Sequence, residues 1–212
     1  MSAPLFIAAL RFAADSDAAV TAFLDFRMTH RLVYSGFATK EAATRARVLF
    51  RFDLEGEFGF LYVQSSEPPD WSGLPRSIAG NVVGPLPMAI PQEDRLQFRL
   101  LAKPSYRVGN RDDERIGKRS TISDPAKQIE WLRRKGATCG FEVEDCLASD
   151  RIWHDSGKAR LPNGELMPLH AVQFDGILRV ADREKLEAAV RSGIGPQKAF
   201  GFGLLSLAAL RE

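Results

Sequence analysis

The chain has 212 residues, 45% of them apolar and 26% charged, and its 29 basic side chains exceed its 27 acidic ones by only two. That length fits one large domain or two small ones. The apolar share, with 14 Phe, excludes a mainly disordered chain, and no run approaches the ~20 apolar residues of a membrane span. The near-neutral balance means that any polyanion-binding signal has to be local. Met1–Leu10 lacks the basic start of a secretory leader. Two cysteines and three scattered histidines give neither a disulfide framework nor a zinc pattern, so a cytoplasmic protein with no metal and no cofactor is expected.

In chain order, Leu5–Phe12 reads as a first strand, and Asp15 or Ser16 can cap a helix running to about Phe37. Arg47–Leu54 and Phe58–Gln64 read as strands joined by a turn at Glu55-Gly56-Glu57. Ser65–Pro91 is proline-rich loop with a short strand near Asn81–Pro85, and a boundary falls near Pro91. Leu96–Ala102 alternates apolar and polar residues as a strand does. Asp124-Pro125 starts a helix to about Lys135. Phe141–Leu147, Arg151–Lys158 and Val172–Val180 are strands, Asp182 caps a helix that Gly193 stops, and Gly203–Ala208 closes the chain. Each half has a β-α-β-β-α-β order, although the second helix of the first half has little support. The expected class is α+β, two tandem ferredoxin-like (RRM-like) domains over 1–90 and 91–212. That fold hosts enzymes, metabolite sensors and RNA binders, so function has to come from sites.

Three segments can carry chemistry. On the first helix Arg27, His30, Arg31 and Tyr34 follow i, i+3, i+4, i+7 spacing and share one face, with Val33 on one flank and Met28 and Leu32 on the other. A histidine titrates near neutral pH and an arginine can hold a phosphate with two hydrogen bonds; an exposed polar stripe is the bland alternative. Lys103 to Arg119 holds Lys103, Arg107, Arg111, Arg115, Lys118 and Arg119 against three acids, with Tyr106 among them. A basic loop or hairpin of this kind suits a nucleic-acid backbone, or is simply solvated. Gly193-Ile-Gly195-Pro-Gln197-Lys198-Ala-Phe-Gly201-Phe-Gly203 combines four glycines with a lysine. It can bring backbone N–H groups close to a phosphate, or serve only as a tight turn. It is neither a Walker loop nor a dinucleotide fingerprint. His154 and His170 read as surface or sheet-edge residues, and Asp70-Trp71 as a packed turn.

The run Val172–Val180 followed by Gly193–Leu207 resembles the CasE family, the repeat-cleaving endoribonucleases of type I-E CRISPR systems. Phe98–Pro104 with Gly117-Lys-Arg119 resembles that family's basic hairpin, and Leu61–Trp71 and Gln128–Leu132 also fit. The resemblance spans almost the whole chain and is weakest over the first 45 residues. It implies a metal-independent endoribonuclease that cuts CRISPR precursor RNA at repeat hairpins and stays bound to the product in Cascade. His30 matches the family's catalytic histidine, followed by Arg31. Where the family commonly has a tyrosine three residues earlier, this chain has Arg27; where some members have a lysine five residues later, it has Ser35. Tyr34 is the nearby phenol. The implied RNA contacts are the six basic residues of Lys103–Arg119 with Gly193, Gly195, Gln197, Lys198 and Gly201. The implied partners are the repeat RNA hairpin and the other Cascade subunits, with no membrane. A non-cleaving RNA-hairpin scaffold and a metabolite sensor remain the alternatives.

Overall fold

The computed structural model describes residues 4–13, 26–74, 82–107, 119–152 and 170–210. In chain order the elements are β1 (Phe6–Ala13), α1 (Phe26–Tyr34), α2 (Lys40–Arg45), β2 (Leu49–Glu55), β3 (Phe58–Ser65), β4 (Val82–Pro87), β5 (Arg95–Ala102), β6 (Ser105–Arg107), β7 (Arg119–Thr121), α3 (Pro125–Cys139), β8 (Phe141–Ile152), β9 (His170–Val180), α4 (Arg183–Ser192), a 3-10 turn (Lys198–Phe200) and β10 (Leu205–Ala209). Two four-stranded sheets have the orders β2-β3-β1-β4 and β10-β5-β9-β8. In each, the first and third of that sheet's strands in chain order lie in the centre and the last pairs with the first. That is the ferredoxin-like arrangement, made twice, and every pairing is antiparallel. β6 and β7 pair as a separate ribbon inserted between β5 and α3.

Period-2 alternation sets which face of each sheet is covered. In the first sheet Leu10, Phe50, Phe52, Leu61 and Val63 are buried with Val33 of α1 and Trp71. In the second, Leu96, Phe98, Leu100, Phe174 and Leu178 pack under α3 and α4 through Trp131, Leu132, Leu186 and Val190. Leu5, Met88 and Ile90 join this second cluster from the other side of Pro91. Local signals fix the helix ends. The Asp124 carboxylate accepts from the N–H groups of Ala126 and Lys127 with Pro125 next to it, and the Asp182 carboxylate accepts from Lys185 N–H. Gly140 ends α3 in the left-handed region at φ 81°, where a Cβ would collide with the Asp182 carbonyl.

Three expectations change. The strands foreseen at Phe141–Leu147 and from Arg151 are one continuous strand, β8, paired with β9 from Phe141↔Val180 to Ile152↔His170. Ser149 and Asp150, in the polar stretch that suggested a gap, are exposed but paired within the strand, and the irregularity lies earlier, as a register shift between Val143 and Asp145 opposite Leu178 and Ile177. Met28, placed in an apolar flank of the first helix, is 45% exposed. Helix α2, capped by the Thr39 hydroxyl accepting from Ala42 N–H at 3.1 Å, was not foreseen. The start of the long first helix lies outside the described residues. Among the described residues no helix is long and apolar enough to cross a membrane.

Besides the apolar contribution of Leu5, Met88 and Ile90, buried polar contacts join the halves. Arg51 Nε lies 3.0 Å from both oxygens of Asp53. One terminal nitrogen of Arg51 donates to the Leu204 carbonyl at 3.3 Å and to Ser206 Oγ at 3.0 Å, both at the edge of the second sheet. Arg99 of β5 bridges Asp53 at 3.5 Å and Asp175 at 2.6 Å. Gln64 Nε2 donates to the Val190 carbonyl at 2.8 Å.

Candidate active site and nucleic-acid interface

His30 and Tyr34 lie one turn apart on α1, and their rings stack with centroids 3.9 Å apart and planes 19° from parallel. Both are half-buried. The helix is held at its C-terminal end by the proline-rich segment. Trp71, 3% exposed, donates its indole N–H to the Leu32 carbonyl at 3.0 Å, and Asp70 N–H donates to the Gly36 carbonyl at 2.7 Å. A Cβ at Gly36 would come within 2.6 Å of the Trp71 ring. Asp70-Trp71 is thus the packed turn the sequence suggested, and what it packs on is the helix bearing His30.

Burial of the imidazole lowers the His30 pKa below its ordinary value, and the nearby Lys40 ammonium adds to the lowering. Burial raises the Tyr34 phenol above 10. At neutral pH the pair is therefore a neutral imidazole, able to accept a proton, against a protonated phenol, able to donate one. The sign is testable. With His30 as base, activity rises as the imidazole deprotonates, so the acidic limb should have its midpoint below 6.5. Lys40→Gln should move that midpoint upward without removing it, because burial is the larger cause; a pH–rate profile of single-turnover cleavage reads the shift.

Arg31 is exposed on the same helix. Arg27 lies in the first turn of α1, and its side chain is outside the described residues. The tertiary fold brings a distant segment to this helix: α1 packs against the 3-10 turn Lys198–Phe200 of the glycine-rich loop. That loop is also seated on the first sheet. Gly201 has φ 83° and a Cβ there would stand 3.1 Å from the Phe50 ring. Gly203, at φ 92°, donates its N–H to the Leu101 carbonyl at 2.7 Å and accepts from Ile194 N–H at 2.9 Å. Gly193 and Gly195 also have positive φ, as does Gln197 at 61°. The turn reading of the loop is thus physically grounded, and Lys198, half-buried, lies on the turn that packs against α1. Gly201→Ala should lower the melting temperature, costing on the order of 1 kcal/mol or more at a positive φ. Lys198→Ala should keep the melting temperature and weaken RNA binding; equal RNA affinity in the Lys198 variant would reduce the loop to a turn.

The basic segment begins as the expected hairpin, with Ser105↔Thr121, Tyr106↔Ser120 and Arg107↔Arg119 opposite one another. Arg107 is exposed and Tyr106 is 52% exposed. Lys103, at its base, is half-buried, and burial lowers its pKa. Arg111, Arg115 and Lys118 lie outside the described residues, as does the side chain of Arg119. His154 also lies outside them, and His170 begins β9. Sequence reasoning missed Lys40. Its position beside the site depends on the turn between α1 and α2, and the one local cue was Thr39 as a helix cap.

Comparison with known proteins gives a consistent answer. The family described as "CRISPR associated protein" matches residues 5–209. The chain is 34% identical over 197 residues to the CRISPR-associated endoribonuclease Cse3 of Thermus thermophilus, covering 84% of this chain and 88% of the relative. It is 35% identical over 123 residues to the CRISPR system Cascade subunit CasE of Escherichia coli, covering 54% and 58%. The solved structure of Thermus thermophilus Cse3 bound to an RNA representing a pre-cleavage complex superposes with a TM-score of 0.81 at 30% identity, covering 97% of this chain and all of that one. With a match from residue 5 to residue 209 and two ferredoxin-like sheets in the same arrangement, the chain belongs to the CasE/Cse3 family of CRISPR-associated proteins.

Proposed function

We propose that this chain is a metal-independent endoribonuclease that cuts CRISPR precursor RNA at repeat hairpins and remains bound to the mature product within Cascade, in the cytoplasm. The observation that carries the reading is the stacked His30–Tyr34 pair on a helix seated against the glycine-rich loop. Unit 1–90 carries the proton-transfer helix, and unit 91–212 carries the hairpin and loop that hold the RNA.

In this reading RNA supplies its own nucleophile. The ribose 2′-oxygen bonds to the adjacent phosphorus as its proton passes to the neutral His30 imidazole. Arg27 and Arg31 stabilise the charge that accumulates on the phosphoryl oxygens. The bond from phosphorus to the 5′-oxygen breaks, that oxygen takes a proton from the Tyr34 phenol or from water, and the products are a 2′,3′-cyclic phosphate and a 5′-OH. Lys103, Arg107, Arg111, Arg115, Lys118 and Arg119 follow the phosphates of the stem, while Gly193, Gly195, Gln197, Lys198 and Gly201 line the RNA beside α1. The A-form major groove is too deep and narrow for side chains to read, so stem shape and phosphate contacts dominate.

The test is incubation with the cognate repeat RNA in EDTA, followed by mass analysis of the ends. A cyclic phosphate on one fragment and a kinase-labelled 5′-OH on the other are expected. Tight binding with intact RNA would instead identify a non-cleaving scaffold.

A further inference from the structure

β3 places Phe58, Phe60 and Tyr62 at alternate positions on the face of the first sheet opposite α1, while Leu61 and Val63 between them are fully buried on the α1 face; the second half covers the Gln64 end of the ring-bearing face and leaves its Phe58 end exposed. The rings form a row: Phe58 and Phe60 lie 6.4 Å apart and tilted, and Phe60 and Tyr62 lie 5.8 Å apart and stacked. Phe58 is 38% exposed and Phe60 is half-buried. Exposed Arg11 of β1 sits with its guanidinium 4.8 Å above the Phe58 ring. At its inner end the row is anchored: Tyr62 has the buried Arg51 guanidinium 5.8 Å from its ring, donates its hydroxyl to Glu55, and borders a cleft of about 370 Å³ between the sheets. Packing alone requires none of the three rings here, since the core of this sheet lies on its other face.

Phe58-Gly59-Phe60-Leu61-Tyr62 reproduces the middle of the RNA-recognition signature in which an aromatic, a small residue, a second aromatic and an aliphatic residue occupy successive positions of the third strand of an RRM sheet. The strand is the right one, β3, next to β1. The departures are equally specific: Gly56-Glu57 replaces the basic residue and glycine that begin the signature, Val63 replaces the aromatic that ends it, and β1 offers Arg11 where a further ring would stand. Gly59 also has a packing role, since a Cβ there would come within 2.6 Å of the Phe52 ring.

We propose that the Phe58–Phe60–Tyr62 row, with Arg11, is a second RNA site that stacks unpaired bases of single-stranded RNA flanking the hairpin. The rings supply π-faces that accept any base, and Arg11 continues the stack or meets a phosphate. The charges around the row are balanced. Arg51 and Arg99 neutralise Asp53, and Glu55 faces Phe58 across the strands. Binding therefore comes from stacking rather than from a basic funnel, and its dependence on salt is shallow.

The experiment uses the full chain and an unstructured oligouridine of about 12 nucleotides, inside the usual site size of a single-strand platform. Phe58→Leu/Phe60→Leu keeps apolar bulk and removes the rings. Its melting temperature should match wild type, its affinity for the oligouridine should fall by about tenfold or more, and its affinity for a hairpin without overhangs should not change. The probe has no stem, so the result stands whether or not the chain cleaves hairpins. Equal oligouridine binding by wild type and variant, or no binding by either, overturns the proposal. So does an equal loss on the bare hairpin. A variant that keeps single-strand affinity but no longer assembles with Cascade subunits would make the row a protein interface, which also overturns it.

Discussion

His30→Ala is expected to slow cleavage of the cognate repeat RNA by about 100-fold or more, the range for losing a positioned acid–base group. Affinity for the uncut hairpin should be nearly unchanged. The effect should be large because, among the described residues, the group stacked on the half-buried imidazole is a phenol, which cannot replace it as a base. Tyr34 is held protonated by burial, and an arginine is protonated at any pH at which RNA survives. Truncation also removes the partner ring that stacks on Tyr34 at 3.9 Å, so His30→Gln is the companion variant, keeping polar bulk beside the phenol. Both should be slow under single-turnover conditions, and the variant's acidic limb should disappear. Wild-type rates in either would remove His30 from the mechanism.

Arg51→Ala is expected to be the most damaging single change to the fold, at about 3–5 kcal/mol, the cost of breaking a buried ion pair and leaving one charge behind. Arg51 is 4% exposed and Asp53 is 1% exposed. Without Arg51, Asp53 retains, among the described residues, the cation of Arg99 at 3.5 Å. The Leu204 carbonyl and Ser206 hydroxyl lose the donor that ties the edge of the second sheet to β2. A cycle with Arg51→Met and Asp53→Leu should show coupling: the double variant should be more stable than Arg51→Met alone, because no carboxylate then remains buried and underpaired. Urea unfolding checks the order. A loss under 1 kcal/mol for Arg51→Ala would mean that water replaces the guanidinium at that junction.

The sequence itself determined the local elements and their pairing logic. Alternation marked the strands, with Leu96, Phe98 and Leu100 inward and Gln97 outward. Asp124-Pro125 and Asp182 marked helix starts and Gly193 marked a helix end, whereas α3 runs past the expected Lys135 to Cys139. All of these act within a few residues, which is why they can be read without a fold. The α1 face bearing His30 and Tyr34 was legible for the same reason: residues four apart meet on any helix. The gap expected between Leu147 and Arg151 was misread because an exposed polar stretch of a long strand looks like a loop when its partner strand is unknown.

Only the tertiary structure decided what lies beside what. Trp71 is 39 residues from Leu32 and holds its carbonyl. Lys198 rides on a loop whose turns are set by Phe50 and Leu101, far away in sequence. Arg51 reaches a carbonyl 153 residues on. The row Phe58, Phe60, Tyr62 was visible as letters, but alternation cannot say which face of a sheet the helices will cover, and that choice decides whether the rings form a core or an exposed platform. Such contacts depend on the closure of long loops and the packing of whole layers, and no periodicity within one segment encodes them.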